Sequence, residues 1–86
     1  MLYTDKTCSQ FVDETAGKSP VPGGGSVSAL VGALGASLGR MVASLTLGKQ
    51  KYEAVEEEIT ALAEEADGLR EELMELVEAD INIFKP

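Results

Sequence analysis

Histidine and tryptophan are missing from this sequence of 86 residues, and cysteine occurs only once. Without histidine, a Ser-His-Asp triad and most kinds of zinc site are excluded within a single chain. The single thiol, Cys8, allows no intramolecular disulfide, and no imidazole is present to activate it as a nucleophile. We therefore expect Cys8 to be a buried or partly buried structural thiol in a reducing compartment.

Positive charge is also scarce, because seven lysines and arginines stand against fifteen acidic residues, giving a net charge of −8. Nucleic acid and anionic membranes would be repelled by such a surface, so neither is expected as a partner. No charged-then-apolar leader pattern opens the chain, which favours a cytoplasmic protein. A chain of this length forms at most one domain, near the lower limit for a self-sufficient core.

The most informative segment covers residues 19–26, in which two prolines precede three glycines and Ser26. We expect a loop over residues 18–25, followed by a helix with Ser26 at its N-cap. Unpaired N–H groups and the positive end of the helix dipole would then face a ligand the size of a phosphate or carboxylate. A flexible glycine-rich linker is the alternative interpretation.

The spacing of apolar residues predicts two helices before residue 48. Thr7 and Gln10 have the spacing of a capping box, which predicts a short helix over residues 8–16. A longer helix is predicted from Ser26 to about Leu47, with large apolar residues on one face and alanine or glycine on the other. Such a helix is usually packed on all sides, with a neighbour close against the small face.

The second helix also has a rival interpretation as a membrane span, because residues 35–39 match a small-xxx-small motif. Arg40 would then lie near the bilayer centre, and no aromatic residues flank the segment. A soluble helix is therefore the favoured interpretation. Gly48 is expected to end it.

A third helix is predicted from about Tyr52 to the end of the chain, with a heptad-like stripe of apolar residues. The stripe consists of Tyr52, Val55, Ile59, Leu62, Ala66, Leu69, Leu73, Leu76 and Ile83, with Asp80 in an apolar position. The glutamates outside it are typical of a solvated face, and metal binding by them is disfavoured. So short a chain leaves both long helices partly uncovered. We expect an all-α bundle of one short and two long helices, completed by self-association.

Asp80 breaks the apolar stripe. A carboxylate in a helical interface is costly unless it is hydrogen-bonded, which makes Asp80 a candidate proton donor or acceptor. The alternative is that the helix turns outward after Leu76 and leaves Asp80 in water. Near the start of this helix, Tyr52 with Lys49 and Lys51 offers a phenol and two cations, although Tyr52 also fits an ordinary amphipathic anchor.

Several segments together resemble the cyclodeaminase family, namely the C-terminal domain of formiminotransferase-cyclodeaminase and related bacterial methenyltetrahydrofolate cyclohydrolases. They are residues 19–26, residues 29–36 and residues 45–49 with Tyr52. Residues 73–84 are similar to the helix in which that family places an acid before an aromatic residue. The resemblance covers nearly all of this chain but less than half of a typical family domain. Residues 1–86 would thus be the N-terminal portion of such a domain.

The resemblance implies an all-α protein, dimeric or larger, that closes or opens the methenyl bridge of a tetrahydrofolate. The reaction would release ammonia or add water, with a reduced folate as substrate and no separate cofactor or metal. The folate-facing residues would be Pro22, Gly23, Gly24, Gly25 and Ser26, with Lys49 and Tyr52 near them. Asp80 is our hypothesis for the catalytic acid–base. The alternative function is a non-catalytic self-association module whose glycine loop binds an anion.

Overall fold

Three α-helices are present in the computed structural model, which describes residues 2–84 and, for Phe84, the backbone alone. They are α1 (Cys8–Thr15), α2 (Gly24–Thr46) and α3 (Glu56–Phe84), with short 3₁₀ helices at Tyr3–Asp5 and Gln50–Val55. No strand occurs within residues 2–84. The expected all-α class, with one short and two long helices, is confirmed.

The two long helices form an antiparallel pair. A Cβ built on Gly32 would lie 3.3 Å from Cδ1 of Leu73, and Arg40 forms an ion pair with Asp67. Arg40 follows Gly32 on α2, whereas its partner Asp67 precedes Leu73 on α3. The two helices therefore run in opposite directions. The small face of α2 is the one turned toward α3, because its alanines Ala29, Ala33 and Ala43 are buried. Close packing against the small face is therefore confirmed.

The large apolar face of α2, by contrast, is not covered within residues 2–84, so packing on all sides was wrong for the single chain. Its exposed residues are Val31, Leu34, Leu38, Met41, Val42 and Leu45. By length and composition alone, Gly24–Thr46 is also apolar enough to cross a membrane, and 22% of its most apolar window is buried. A core helix of a soluble protein meets the same criterion, so this finding is weak evidence for a membrane span.

The apolar stripe predicted on α3 divides into two rows. Ile59, Ala66 and Leu73 are half-buried on the side of α2, beside the buried residues Ala63 and Val77. The other row of the stripe is exposed and consists of Leu62, Leu69, Leu76 and Ile83. The helical periodicity was thus predicted correctly, but one chain covers only half of the apolar surface that it creates.

The predicted helix boundaries were right for α1 and needed correction for the long helices. The capping box of Thr7 and Gln10 forms with both of its hydrogen bonds. α2 begins at Gly24, so Ser26 lies in its first turn and is not its N-cap. Residues 50–55 form a 3₁₀ helix, so α3 begins later than Tyr52. Gly48, at φ +83°, follows α2 as expected, since glycine tolerates this left-handed conformation.

The core lies at one end of the helix pair, where α2 begins and α3 ends. Phe11, Val21, Ala29, Val77 and Ile81 pack together there. The N-terminal segment is joined to this end because the backbone N–H of Thr4 donates to Oε1 of Glu78 at 2.8 Å. Cys8 is exposed at the start of α1, so the expectation of a buried thiol was wrong. Its place in the first turn turns its side chain toward solvent.

Candidate functional site

The carboxylate of Asp80 is bound to the first turn of α2. The backbone N–H of Ser26 donates to Oδ2 of Asp80 at 3.1 Å, and the Ser26 hydroxyl lies 3.3 Å from the same oxygen. That hydroxyl also donates to the carbonyl oxygen of Val77 at 2.7 Å. Ser26 is fully buried and Asp80 is half-buried, so the carboxylate neither turns into open solvent nor stays without a partner.

Asp80 performs the capping role that we had expected of Ser26. The first residues of an α-helix have N–H groups without partners inside the helix, and their partial positive charge favours an anion. The actual N-cap is Gly23, which has no side chain to accept a hydrogen bond. The Asp80 carboxylate, contributed by the far end of α3, takes the amide of Ser26 instead. The interpretation of Asp80 as a fully solvated residue is therefore wrong.

Gly25 provides the space for this contact. A Cβ built at Gly25 would lie 2.6 Å from Oδ1 and 2.7 Å from Oδ2 of Asp80, closer than real Cβ contacts come. At Gly24 the same construction meets nothing within 4 Å. Of two adjacent glycines, only Gly25 is thus required by the position of the carboxylate.

Residues 19–25, which we call the glycine turn, present a partly open edge. The peptide bond between Val21 and Pro22 is cis, and both residues are buried, whereas Gly24 and Gly25 are exposed. Ser19 accepts a hydrogen bond at Oγ from the N–H of Val21 at 3.2 Å. Within residues 2–84, no hydrogen bond is made by the amides of Gly24 and Gly25. These two exposed amides are therefore available to a ligand.

Lys49 and Tyr52 lie at the opposite end of α2 from the glycine turn. The 23 residues of α2 separate them by roughly 33 Å along the helix axis. Lys49 lines a depression of about 320 Å³ with Gly48, Gln50, Glu53 and Glu56. Lys51 Nζ lies 5.6 Å from the centre of the Tyr52 ring, which is 38% exposed. The prediction that Lys49 and Tyr52 lie near the glycine turn is therefore wrong within one chain.

A second polar cluster lies between the long helices and was missed from the sequence. Arg40 Nε donates to both carboxylate oxygens of Asp67 at 3.2 Å, and Arg70 pairs with Oδ1 of the same residue. The hydrogen bond from Arg70, supported by that from Arg40, holds the pKa of Asp67 below its ordinary value. The spacing of Asp67 and Arg70 along α3 is the signal that could have indicated this cluster.

The acidic face of α3 does not form a metal site in the described part of the chain. No group of three or more carboxylate, thiol or imidazole residues within residues 2–84 is placed to hold a metal ion. The Asp80 carboxylate, in contrast, is held by Ser26 at the amino end of α2, beside the exposed glycines Gly24 and Gly25. This corner of the molecule therefore combines a fixed acid, two exposed glycines and a buried serine.

Comparison with known proteins identifies a family whose sequence profile matches most of this chain. The sequence profile of the formiminotransferase-cyclodeaminase family matches residues 7–86, which include the glycine turn, Ser26 and Asp80. The chain belongs to this family. The resemblance inferred from the glycine turn and the small-residue helix is thereby confirmed.

Individual members of the formiminotransferase-cyclodeaminase family align over most of the chain. A methenyltetrahydrofolate cyclohydrolase of Methylorubrum extorquens is 40% identical over 80 residues, or 93% of this chain. The formimidoyltransferase-cyclodeaminase of Rattus norvegicus is 36% identical over 80 residues, again 93% of this chain. That of Dictyostelium discoideum is 50% identical over 46 residues, or 54% of this chain.

This family member spans only part of the length of these relatives. It covers 38% of the cyclohydrolase, 15% of the rat protein and 9% of the Dictyostelium protein. The family match over residues 7–86 contains α1, the glycine turn, α2 and α3. The corner formed by Asp80 and the glycine turn therefore lies within the portion that the family match covers.

Proposed function

We propose that this chain provides the acid–base part of a site that acts on the one-carbon unit of a reduced folate. The reaction would be hydration of a methenyl bridge or ring closure of a formimino group with release of ammonia. The observation that carries this proposal is the Asp80 carboxylate, held at the amino end of α2 by the amide and hydroxyl of Ser26. Membership of the formiminotransferase-cyclodeaminase family supports the class of substrate.

The chemistry requires a group that both stabilises positive charge and transfers a proton. The reacting carbon lies between two nitrogens and has cationic character, so an adjacent carboxylate lowers the energy of the charged species. Attack by water, or by a folate nitrogen, also needs a base and then an acid. Ser26 fixes Oδ2 of Asp80, and no hydrogen bond to Oδ1 is formed within residues 2–84. We assign proton transfer to Oδ1.

The glycine turn lines the approach to that oxygen. Pro22, Gly23, Gly24 and Gly25 form the edge along which a flat ring can come close, because no side chain projects from the glycines. Ser26 holds Asp80 in place in this proposal. Since Asp80 already neutralises part of the helix dipole, the turn suits a cationic reacting group better than an isolated phosphate. This argues against simple anion binding by the loop.

A non-catalytic helical self-association module is the second candidate function. It is favoured by the uncovered apolar faces of α2 and α3, which are extensive for a chain of this length. It needs no substrate and no free oxygen on Asp80. The two functions therefore differ in one measurable respect, which is turnover of a reduced folate.

The test compares two aspartates of the same helix, using the methenyl absorbance of the substrate and, separately, ammonia release from a formimino substrate. Asp80→Asn keeps the acceptor for Ser26 but removes the proton-transfer group, so we expect most turnover to be lost with helix content unchanged. Asp67→Asn is the matched control, because Asp67 is also half-exposed on α3 but is paired with arginines. It should retain turnover.

Two results would contradict the proposed chemistry. If Asp80→Asn turned over folate at the rate of the unmodified chain, Asp80 would not be the acid–base residue. If the unmodified chain neither bound nor converted a reduced folate by calorimetry and absorbance, the self-association module would be the better description. We place this function in the cytoplasm, where an exposed thiol such as Cys8 stays reduced.

A further inference from the structure

One row of apolar residues on α3 follows a strict heptad spacing. Leu62, Leu69, Leu76 and Ile83 follow one another at intervals of seven residues, and each is between 52% and 75% exposed. Seven residues are close to two turns of an α-helix, so the four side chains form a line nearly parallel to the helix axis. Such a line fits a second helix packed lengthwise at a small crossing angle. We call these four residues the heptad row.

The heptad row forms one wall of a groove between α2 and α3. Val77 is fully buried in the middle of the contact between the helices, whereas Gly32 and Leu73 meet at its edge, where both are half-buried. On the side away from Val77, the next residues around α3 are Leu69 and Leu76. Leu73 therefore lies at the bottom of the groove, between the heptad row and α2.

The opposite wall of the groove is low because it consists of glycine. Gly35 and Gly39 lie three and seven residues after Gly32, on the same side of α2. A Cβ built at Gly35 or at Gly39 meets nothing within 4 Å, so the space beside both residues is open. The backbone of another helix can come close to a surface that has no side chains. A helix can therefore enter the groove along the glycines.

The total exposed surface also indicates that a partner covers part of the molecule. The chain exposes 6164 Å², whereas a folded monomer of this length exposes about 4,900 Å². Its radius of gyration is 16.4 Å, against about 12 Å for a compact chain of 86 residues. Each protein in a stable complex buries about 800 Å², which is less than this excess of exposed surface. The chemistry of the partner follows from the charges beside the groove.

Glutamates border the open side of the heptad row. Glu58, Glu65 and Glu72 each precede a member of the row by four residues, and all three are exposed. Residues four apart are neighbours on a helix surface, so a carboxylate stands beside each of the first three members of the row. Within residues 2–84, none of these glutamates forms an ion pair. This acidic flank therefore favours a partner with lysine or arginine at the same spacing.

A second copy of this chain does not offer such a basic flank. Two α3 helices packed through their heptad rows would bring the glutamates of one copy against those of the other, and like charges disfavour a helix pair. The outer face of α2 supplies no cation either, because Arg40 is the only charged residue of that helix and is paired with Asp67. The acidic flank therefore favours a different polypeptide.

We propose that the groove between the heptad row and the glycines of α2 binds an amphipathic helix of another polypeptide. The partner helix presents an apolar heptad face to the row and carries lysine or arginine opposite Glu58, Glu65 and Glu72. The complex is a three-helix bundle in which the partner covers apolar side chains that residues 2–84 leave exposed. This inference does not rest on the function proposed above.

The first test uses two synthetic helical peptides of about four heptads, both with leucine at positions a and d. One peptide carries lysine at positions e and g, and the other carries glutamate there. Fluorescence anisotropy at physiological ionic strength measures the affinity of each peptide for the unmodified chain. We expect one-to-one binding of the lysine peptide and binding of the glutamate peptide that is weaker by about tenfold or more. Equal affinities would overturn the proposal.

Charge reversal on α3 separates binding in the groove from general attraction to an acidic protein. Glu65→Lys with Glu72→Lys changes the flank of the heptad row, whereas Glu64→Lys with Glu71→Lys makes the same change in charge on the far side of α3. All four glutamates are exposed. The first pair should weaken binding of the lysine peptide by about tenfold or more, and the second pair by much less. An equal loss from both pairs would overturn the groove as the site.

The apolar part of the contact is tested with two leucines of similar exposure. Leu69 in the heptad row is 52% exposed, and Leu38 on the outer face of α2 is 59% exposed. Leu69→Ala should weaken binding of the lysine peptide by about tenfold or more, whereas Leu38→Ala should leave it unchanged. Circular dichroism checks that both variants keep their helix content. Full affinity in Leu69→Ala would contradict docking on the heptad row.

Two further outcomes would assign the groove to another occupant. A dimer in sedimentation equilibrium that Leu69→Ala dissociates and Leu38→Ala does not would place a second copy in the groove and overturn the proposal. Binding to phosphatidylcholine vesicles that depends on Leu69, without binding of the lysine peptide, would indicate a lipid surface and would overturn it equally. None of these measurements involves folate, so the proposed function and this inference fail separately.

Discussion

Gly25 and Asp80 lie so close that a Cβ on the glycine would come within 2.6 Å of the carboxylate oxygen Oδ1. The contact joins the first turn of α2 to the last turns of α3. It also explains why the amide of Ser26 has a partner although the N-cap residue is a glycine. The position of the candidate catalytic acid is therefore set by the absence of a side chain on the facing helix.

Replacement of Gly25 by alanine should displace this carboxylate. The side chain of Asp80 can rotate away from the new methyl group, but it then gives up its hydrogen bonds to Ser26. We expect a loss of about 1–2 kcal/mol in the free energy of unfolding and a loss of turnover. Urea denaturation at fixed protein concentration measures the first effect. Gly24→Ala is the control, because its Cβ meets nothing, and an equal loss there would contradict the explanation.

The buried hydroxyl of Ser26 should also contribute to stability. It donates to the carbonyl oxygen of Val77 and lies within hydrogen-bond distance of Asp80. In Ser26→Ala these groups lose a buried partner, so we expect a decrease of about 1–3 kcal/mol in the free energy of unfolding. Ser28→Ala, at an exposed position two residues along the same helix, should change it little. Thermal denaturation followed by circular dichroism compares the two variants.

Low pH should remove the stabilisation that ionised Asp67 gives to the folded state. The hydrogen bond from Arg70 keeps the pKa of Asp67 below its ordinary value, so the folded state holds the ionised form more strongly than the unfolded state does. The resulting stabilisation is complete above the unfolded pKa of about 3.9 and is lost as the pH falls through the lower folded pKa.

Asp67→Asn and Arg70→Gln should therefore each reduce the dependence of the urea midpoint on pH below about pH 4. The effect should be small, because Asp67 is partly exposed and salt screens it. Profiles that differ between the two variants in this range would show that the pair does not act as a unit.

Glycines inside the helices should respond differently to alanine according to their neighbours. Gly68 has open space around its Cβ position on α3, so Gly68→Ala should raise the free energy of unfolding by about 0.5–1 kcal/mol. At Gly32 the new methyl would lie 3.3 Å from Cδ1 of Leu73, which must shift to admit it. Gly32→Ala should therefore raise the free energy of unfolding by less than Gly68→Ala does. Chemical denaturation measures both values, and the opposite order would show that Leu73 is not packed closely against Gly32.

Local sequence signals were sufficient where the determining contacts are local. The capping box of Thr7 and Gln10, the small face of α2 and the glycine after α2 all depend on residues within one or two helical turns. The start of α2 could not be predicted in this way. Ser26 has the residue type of an N-cap, but its side chain is used by α3, and the cap comes from Asp80, far away in sequence.

The sequence could not predict which apolar residues of the stripe on α3 are exposed, because a periodic pattern does not show which part of the protein covers each face of a helix. Leu62 and Leu69 fit the stripe on α3 as well as Leu73 does, yet they are exposed while Leu73 contacts α2. Similarly, Lys49 and Tyr52 are close to the end of α2 in sequence, but the length of that helix places them away from the glycine turn. Separation along a helix axis is a property of the folded molecule that residue types alone do not reveal.

The double use of one carboxylate has a consequence for mutational surveys of this protein. Because Asp80 holds the beginning of α2 and is also the residue assigned to chemistry, selection for heat tolerance and selection for folate conversion would reject many of the same replacements. Asparagine is the informative exception, since it can preserve the scaffold while abolishing proton transfer. A survey that scores every replacement of Asp80 for both heat tolerance and folate conversion would therefore separate its structural role from its chemical role through the asparagine variant.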